Sequence, residues 1–242
     1  MKTMTTTAIA LALLTVSGCA QAESKGRDMK RADVESIIQE YLMENPELIR
    51  EALIELDKKE DRAALAAVSD AVFKDPRDVS IGPKDAKVTI VEFFDYNCGY
   101  CKQSSDWLKN VLKEHPDDVR VVFKELPILD GRTKTSKNAA KAALAAARQG
   151  KYKAMHFALM KERSLSPDRV FEIAAKEGLD VEKLKKDMED PEMERQIADG
   201  LILANRIPSL TGTPFFVINE DFIAGANTDR LDQMLENALK DS

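Results

Sequence analysis

The residues in this sequence best placed to do chemistry are Cys98-Gly99-Tyr100-Cys101, two thiols separated by two residues. The stretch that follows, Lys102 to Lys113, reads as a helix, so the pair stands at a helix start. There Cys98 would lie beside unpaired backbone N–H groups and the positive end of the helix dipole, both of which favour thiolate over thiol. A thiolate of this kind attacks a disulfide or leaves one readily, which makes Cys98 the candidate nucleophile. Cys101, one turn on and less exposed, is placed to resolve the mixed disulfide, so the pair would cycle through a Cys98–Cys101 disulfide. Two blander assignments compete with this one. Half of a structural zinc site would need a second ligand pair, yet His115 and His156 lie far apart with no ligand spacing, so neither a metal nor another cofactor is expected. A purely structural disulfide across two residues would constrain the unfolded chain very little.

The elements that must hold the pair can be read on either side of it. Lys87 to Phe94 is a near-continuous β-branched and aromatic run, the pattern of a strand buried on both faces, and Asp95-Tyr96-Asn97 is a loop. With the helix after Cys101 and a second buried-type strand from Val119 to Lys124, this predicts a right-handed βαβ unit. Residues from about 133 to 205 read as helices throughout, including an Ala-rich stretch from Thr133 to Arg148 and a helix started by Ser166-Pro167 and stopped at Gly178. Phe215 to Ile218 and Phe222 to Ala224 form a predicted hairpin, and Leu231, Met234, Leu235, Ala238 and Leu239 mark a closing amphipathic helix. On the first strand Glu92 is in phase with Ile90 and Phe94. Its carboxylate either points to a half-buried space beside the cysteines, where it could relay the proton of Cys101, or is satisfied by a lysine such as Lys124.

The part before residue 87 has a different character. Residues 1–22 carry Lys2, an apolar run from Ala8 to Val16 and a small-residue end, which is the pattern of a secretory signal peptide. Val16-Ser17-Gly18-Cys19 resembles a bacterial lipobox that would make Cys19 a lipidation site, while Ala20-Gln21-Ala22 is a cleavage site that would discard it; both stay open. Either way the chain is expected outside the cytoplasm, soluble or anchored by lipid, where disulfides persist. Residues 28–75 read as a helical arm with apolar stripes at Val34, Ile37, Ile38, Tyr41 and Leu42 and at Leu48, Ile49, Ala52, Leu53 and Leu56. Asn45-Pro46-Glu47 marks the joint, with Asn45 as cap and Pro46 at the first position of the second helix. From Asp33 to Asp75 there are twelve acids against five bases, and so small an arm either packs on the body or meets copies of itself. Residues 76–86, with Asp75-Pro76 and Gly82-Pro83, are punctuated like a linker.

From Val88 to Leu239 the chain resembles the DsbA family of periplasmic thiol-disulfide oxidoreductases. The resemblance rests on Glu92-Phe93-Phe94 ahead of Cys98-Gly99-Tyr100-Cys101, a helical insertion, and Thr213-Pro214 before Phe215. It implies an α/β thioredoxin fold with an inserted helical subdomain, occupying residues 87–242 and preceded by the all-α arm. It also implies Cys98 as nucleophile, Cys101 as resolving thiol, Glu92 as buried acid, and Pro214 as a cis-proline facing the active site with Thr213 before it. Gly99-Tyr100 departs from the Pro-His of DsbA, and the residues at these positions tune thiolate stability. The arm, around Tyr41-Leu42-Met43-Glu44-Asn45-Pro46-Glu47, is similar to the N-terminal region of ScsC-like members, in which such an arm makes oligomers.

Three functions are compatible with these residues. The first is an oligomeric disulfide isomerase or reductase acting on exported proteins, for which the family resemblance implies a membrane reductase of the DsbD type that keeps it reduced. The second is a monomeric dithiol oxidase, for which the resemblance implies a DsbB-type partner, and the third a lipid-anchored binding protein with a passive disulfide. Nucleic acid is excluded as a partner by the net charge of −6, from 36 Lys+Arg against 42 Asp+Glu. His156 reads as a helix-surface or satisfied core histidine, and Trp107 as core packing.

Overall fold

The computed structural model describes residues 30–240; the signal-peptide stretch and Cys19 lie outside them. Two compact units divide the chain after Glu51.

The described part of the first unit is α1 (Arg31–Glu44) and the start of α2 (Glu47–Ala67). Neither Asn45 nor Pro46 plays the expected part at the joint. The Asn45 side chain donates back to the Tyr41 carbonyl at 2.8 Å, so it closes α1 instead of capping α2, and α2 begins after Pro46, at Glu47. An Asn amide can serve either helix, and the Tyr41 carbonyl, which already accepts the Asn45 backbone N–H at 3.0 Å, has a second lone pair to take it. No residue of α1 is buried.

The second unit is built on a five-stranded sheet in the order β1-β3-β2-β4-β5. Its strands are β1 (Val79–Ile81), β2 (Val88–Phe94), β3 (Val119–Glu125), β4 (Phe215–Ile218) and β5 (Asp221–Ala224). The central pair β2 and β3 is parallel and joined by α4 (Gly99–Glu114), which is the expected βαβ unit; the other neighbours are antiparallel. The insertion comprises α5 (Asp130–Thr133), α6 (Ser136–Ala147), α7 (Tyr152–Lys161), α8 (Pro167–Lys176), α9 (Val181–Met188) and α10 (Pro191–Ala204), and α11 (Thr228–Lys240) closes the chain. Ser166 caps α8 by accepting from the Arg169 N–H at 3.1 Å, and Gly178 takes the positive φ of 74° that ends the turn after it.

Because β2 is covered on both faces, its alternate residues feed two cores. Val88, Ile90 and Phe94 pack with α4, α11 and the insertion, whereas Val91 and Phe93 pack with Phe215 and Val217. The second face is covered by Leu203, Ala204 and Ile207 together with Leu65, Val68 and Val72. The stretch read as arm therefore ends in core: Leu65 belongs to the last turn of α2, and Val72 lies on α3 (Ser69–Phe73), wholly buried. An i, i+3, i+7 stripe has the same appearance whether it covers a sheet or faces outward.

The expected linker is also part of the body. Val79–Ile81 pairs with Val121–Phe123 as an edge strand, and Gly82 makes the turn after it, with φ 110° and a position where a Cβ would stand 2.3 Å from the Val119 carbonyl oxygen. Just ahead, Arg77 binds Asp75 and Asp199, each at 2.7 Å, and Asp78 pairs with the buried Lys124. Pro and Gly mark turns as well as linkers, and three residues of edge strand are too few to show periodicity.

Candidate active site

Cys98 is the N-cap residue of α4, held in extended geometry at φ −79° and ψ 118° at the end of the β2–α4 loop. Cys101 faces inward and is fully buried; Cys98 is 7% exposed, and both are thiols. The two sulfurs are electrostatically opposite. The Cys98 thiol is lowered to about 6, first by a hydrogen bond from the Cys101 thiol, against a burial penalty, then by the Thr213 side chain and by the backbone N–H groups of Cys101 and Tyr100. Those N–H groups are the free donors of the helix start. Burial pushes the Cys101 thiol far up, and its bond to the Cys98 sulfur and the nearby Glu92 charge push it the same way. One sulfur is prepared to attack and the other to hold its proton until the mixed disulfide has formed. A passive structural disulfide needs no such asymmetry.

Thr213-Pro214 is a cis peptide, and the Cys98 sulfur lies 3.2 Å from the Thr213 carbonyl oxygen. Both residues belong to the loop ahead of β4, which β4 fixes by pairing with β2. Gly99 leaves open space where a side chain would stand, and Tyr100 is 68% exposed, so the residues between the cysteines face outward.

Glu92 is wholly buried on the same face of β2 as Ile90 and Phe94, and its carboxyl is raised to about 8, mainly by burial. One oxygen accepts from the Ser104 hydroxyl of α4 at 3.3 Å, and the other has no partner. Lys124 does not serve it; that side chain points to the other side of the sheet, to Asp78 and the Ala71 carbonyl. The structure thus favours the acid beside the cysteines over the satisfied edge carboxylate.

Sequence reasoning passed over Asp95, yet it holds both cysteines. Its carbonyl accepts the Cys98 N–H at 3.0 Å and its own N–H reaches the Cys101 sulfur. Its buried carboxylate accepts from the Asn97 N–H at 2.7 Å, the Ser136 hydroxyl at 2.8 Å and the Leu129 N–H at 2.9 Å. The loop is thereby bolted to the first helices of the insertion. A second cluster lies behind it: Glu125 accepts from Tyr152 at 2.9 Å and from Tyr96 at 3.1 Å, and Tyr96 also meets His156 Nδ1 at 3.0 Å. His156 is fully buried among Phe94, Phe123 and Tyr152, which keeps its imidazole neutral, lowered to about 3. It has no contact with the cysteines, in keeping with its reading as a core histidine, though its Nε2 lacks a partner. Glu125 had a legible signal, since it is in phase with the inward Val121 and Phe123. Trp107 packs edge-on to Phe216 and donates to Asp232 at 2.7 Å. Among the described residues no cluster of three or more His, Cys, Asp or Glu is arranged to hold a metal, and no helix is long and apolar enough to cross a membrane.

Comparison with known proteins agrees with this geometry. Residues 89–240 match the family model described as DSBA-like thioredoxin domain, and residues 31–63 match that of the Copper resistance protein ScsC N-terminal domain. A thioredoxin-like oxidoreductase of Silicibacter pomeroyi is 39% identical, with a TM-score of 0.64 over 71% of this chain and 97% of that one. A linker-deletion mutant of Proteus mirabilis ScsC is 28% identical, with a TM-score of 0.68 over 90% of this chain and 100% of its own. Among curated proteins, the Na(+)/H(+) antiporter NhaA 3 of Salinispora tropica is 34% identical over 144 residues, 59% of this chain and 22% of the antiporter. The chain thus spans less than a quarter of the length of that relative. With its cysteine pair, cis-proline loop and helical insertion placed as described, the chain belongs to the DsbA-like thioredoxin family of thiol-disulfide oxidoreductases, and carries an N-terminal segment of the ScsC type.

Proposed function

We propose that this protein is exported and repairs wrong disulfides in other exported proteins, working as an oligomer in the isomerase or reductase direction. Cys98 attacks the substrate disulfide, a mixed disulfide forms as the substrate's leaving thiolate departs, and Cys101 can release the substrate by attacking Cys98. A membrane reductase of the DsbD type would then return Cys98–Cys101 to two thiols. The observation that carries the proposal is the apolar stripe of the arm, where Ile37, Ile38 and Tyr41 are 54%, 52% and 56% exposed. Contiguous exposed apolar side chains of this kind mark an interaction surface, and a partner copy would cover them with the same residues. The match to ScsC over residues 31–63 falls on the same stretch.

The test is the mass of the protein lacking residues 1–22 by light scattering, alongside rescue of scrambled ribonuclease. Replacing Ile38 and Tyr41 with Asp should leave a monomer that still reduces insulin but repairs scrambled substrate poorly; a wild-type monomer would overturn the proposal. One observation favours the second reading, a dithiol oxidase. A Cys98 thiol lowered to about 6 stabilises the reduced form and so makes the disulfide a stronger oxidant. The redox state of the cysteine pair in cells, trapped by acid quench and alkylation, separates the two: mostly reduced for the isomerase, mostly oxidised for the oxidase.

A further inference from the structure

A basic groove that thiol exchange does not use runs beside the active-site helix, between α4, α7 and α8. It consists of two adjoining cavities that share Lys109, Phe157, Lys161 and Glu162. Helical spacing builds it: Lys153, Phe157 and Lys161 recur at i, i+4 and i+8 on α7, while Ile173 and Lys176 share a face of α8. The floor is apolar, with Phe157 and Ile173 both buried, and the rim carries Lys109, Lys153, Lys161 and Lys176.

All four rim lysines are exposed, and among the described residues none of their ammonium groups has an ion-pair or hydrogen-bond partner. Elsewhere in the insertion lysines do find acids: Lys137 and Lys141 share Glu194 at 2.8 and 2.6 Å, and Lys183 meets Asp187 at 2.6 Å. The acid shared by both cavities, Glu162, is bonded by Arg169 at 2.7 Å and feels the charge of Lys176 only at longer range, and Arg169 also reaches Glu172 at 2.8 Å. Glu177 and Asp106 remain on the rim against the four lysines and the exposed Arg163, so the groove is locally positive in a chain of net charge −6. One end opens at Lys102, the residue after Cys101, whose ammonium donates to the Glu162 carbonyl at 2.5 Å.

We propose that this groove receives an acidic stretch, carrying an apolar side chain, of the polypeptide whose disulfide is exchanged at Cys98. The inference rests on the exchange activity and adds to it a class of substrate. An apolar floor binds by burial, and unpaired rim charges steer an oppositely charged chain into register at little desolvation cost. From Lys102 to Lys109 the helix rises about 10 Å. An extended chain covers that in about three residues, so the acidic stretch would begin a few residues from the substrate cysteine.

The test uses two synthetic disulfide peptides of equal length, one with a Glu-Leu-Glu-Glu stretch beside its cysteine and one with Gln for each Glu. The wild-type protein should turn over the acidic peptide with kcat/KM about tenfold higher at low salt, an advantage that disappears near 0.5 M salt as screening shortens the range of the rim charges. The double variant Lys109→Glu with Lys153→Glu should lose or reverse the preference while its rate on the neutral peptide is unchanged, and the Gln pair should fall between. Neither position is at a helix C-terminus, so the fold is not stressed through the helix dipole. Equal kcat/KM for the two peptides with the wild-type protein would overturn the inference, while turnover of the neutral peptide would leave the exchange activity standing. A charge-reversed variant that changes its mass in light scattering but not its peptide preference would assign the groove to a second copy and overturn it as well.

Discussion

The Cys98 sulfur stands 3.2 Å from the carbonyl oxygen of Thr213, a residue 115 positions away in the chain. The relationship places the Cys98 sulfur under a loop that β4 fixes by pairing with β2, so the strand that delivers the cysteines also positions what faces them.

The Cys98 thiol should titrate near pH 6, followed as ultraviolet thiolate absorbance that Cys98→Ser removes. Its folded pKa lies below the unfolded value, so it stabilises the reduced protein above the unfolded pKa, and this is lost as pH falls toward 6. Thr213→Val should raise the titration midpoint, because the Thr213 side chain favours the thiolate. An unchanged midpoint would leave the Thr213 carbonyl as the part of this residue that meets the sulfur.

Glu92→Gln should slow resolution of the mixed disulfide at least tenfold above about pH 8, seen as accumulation of the trapped intermediate, because only there is the Glu92 carboxyl, raised to about 8, ionised and able to take the Cys101 proton. Its raised pKa also has a stability signature. Between about 4.5 and 8 the folded state keeps a proton that the unfolded chain has lost, so wild-type stability falls across that window as pH rises. Denaturant unfolding of the Gln variant should lack that slope.

Asp95→Ala should cost about 2 to 3 kcal/mol in urea unfolding, because it leaves the Ser136 hydroxyl and the Leu129 and Asn97 N–H groups without their acceptor. It should also shift the Cys98 titration, which a substitution acting on stability alone would not do. Ser136→Ala should reproduce a smaller part of both effects.

His156→Asn should leave insulin reduction unchanged, since the imidazole touches neither cysteine. The folded pKa of about 3 lies below that of the unfolded chain, so wild-type stability falls as pH drops from about 6.5 toward 3. The Asn variant should lose that acid sensitivity and keep a hydrogen bond to Tyr96.

Much of this could be read along the chain. The βαβ unit, the insertion, the final hairpin and the placement of both cysteines follow from local periodicity and from the chemistry of a thiol at a helix start. Residues 65–81 could not be read in the same way. Leu65, Val68 and Val72 form a stripe that serves equally for an outward arm, and only the packing of that stripe against Val91 and Phe93 assigns it to the body. The linker failed for a similar reason: what fixes Arg77 and Asp78 is Asp199 and Lys124, far away in sequence.

By itself the sequence determined the reactive pair, the fold class and the alternation that turns Glu92 inward, because helix dipoles and strand phase are local and act between neighbours. Only the tertiary structure decided what each group meets there. It left Glu92 with one free oxygen and Lys124 on the opposite face, tied Asp95 to Ser136, and aligned the lysines of α7 with Lys109 of α4 and Lys176 of α8. Burial and partner choice are properties of surfaces brought together from distant parts of the chain, and those set the protonation states on which exchange depends.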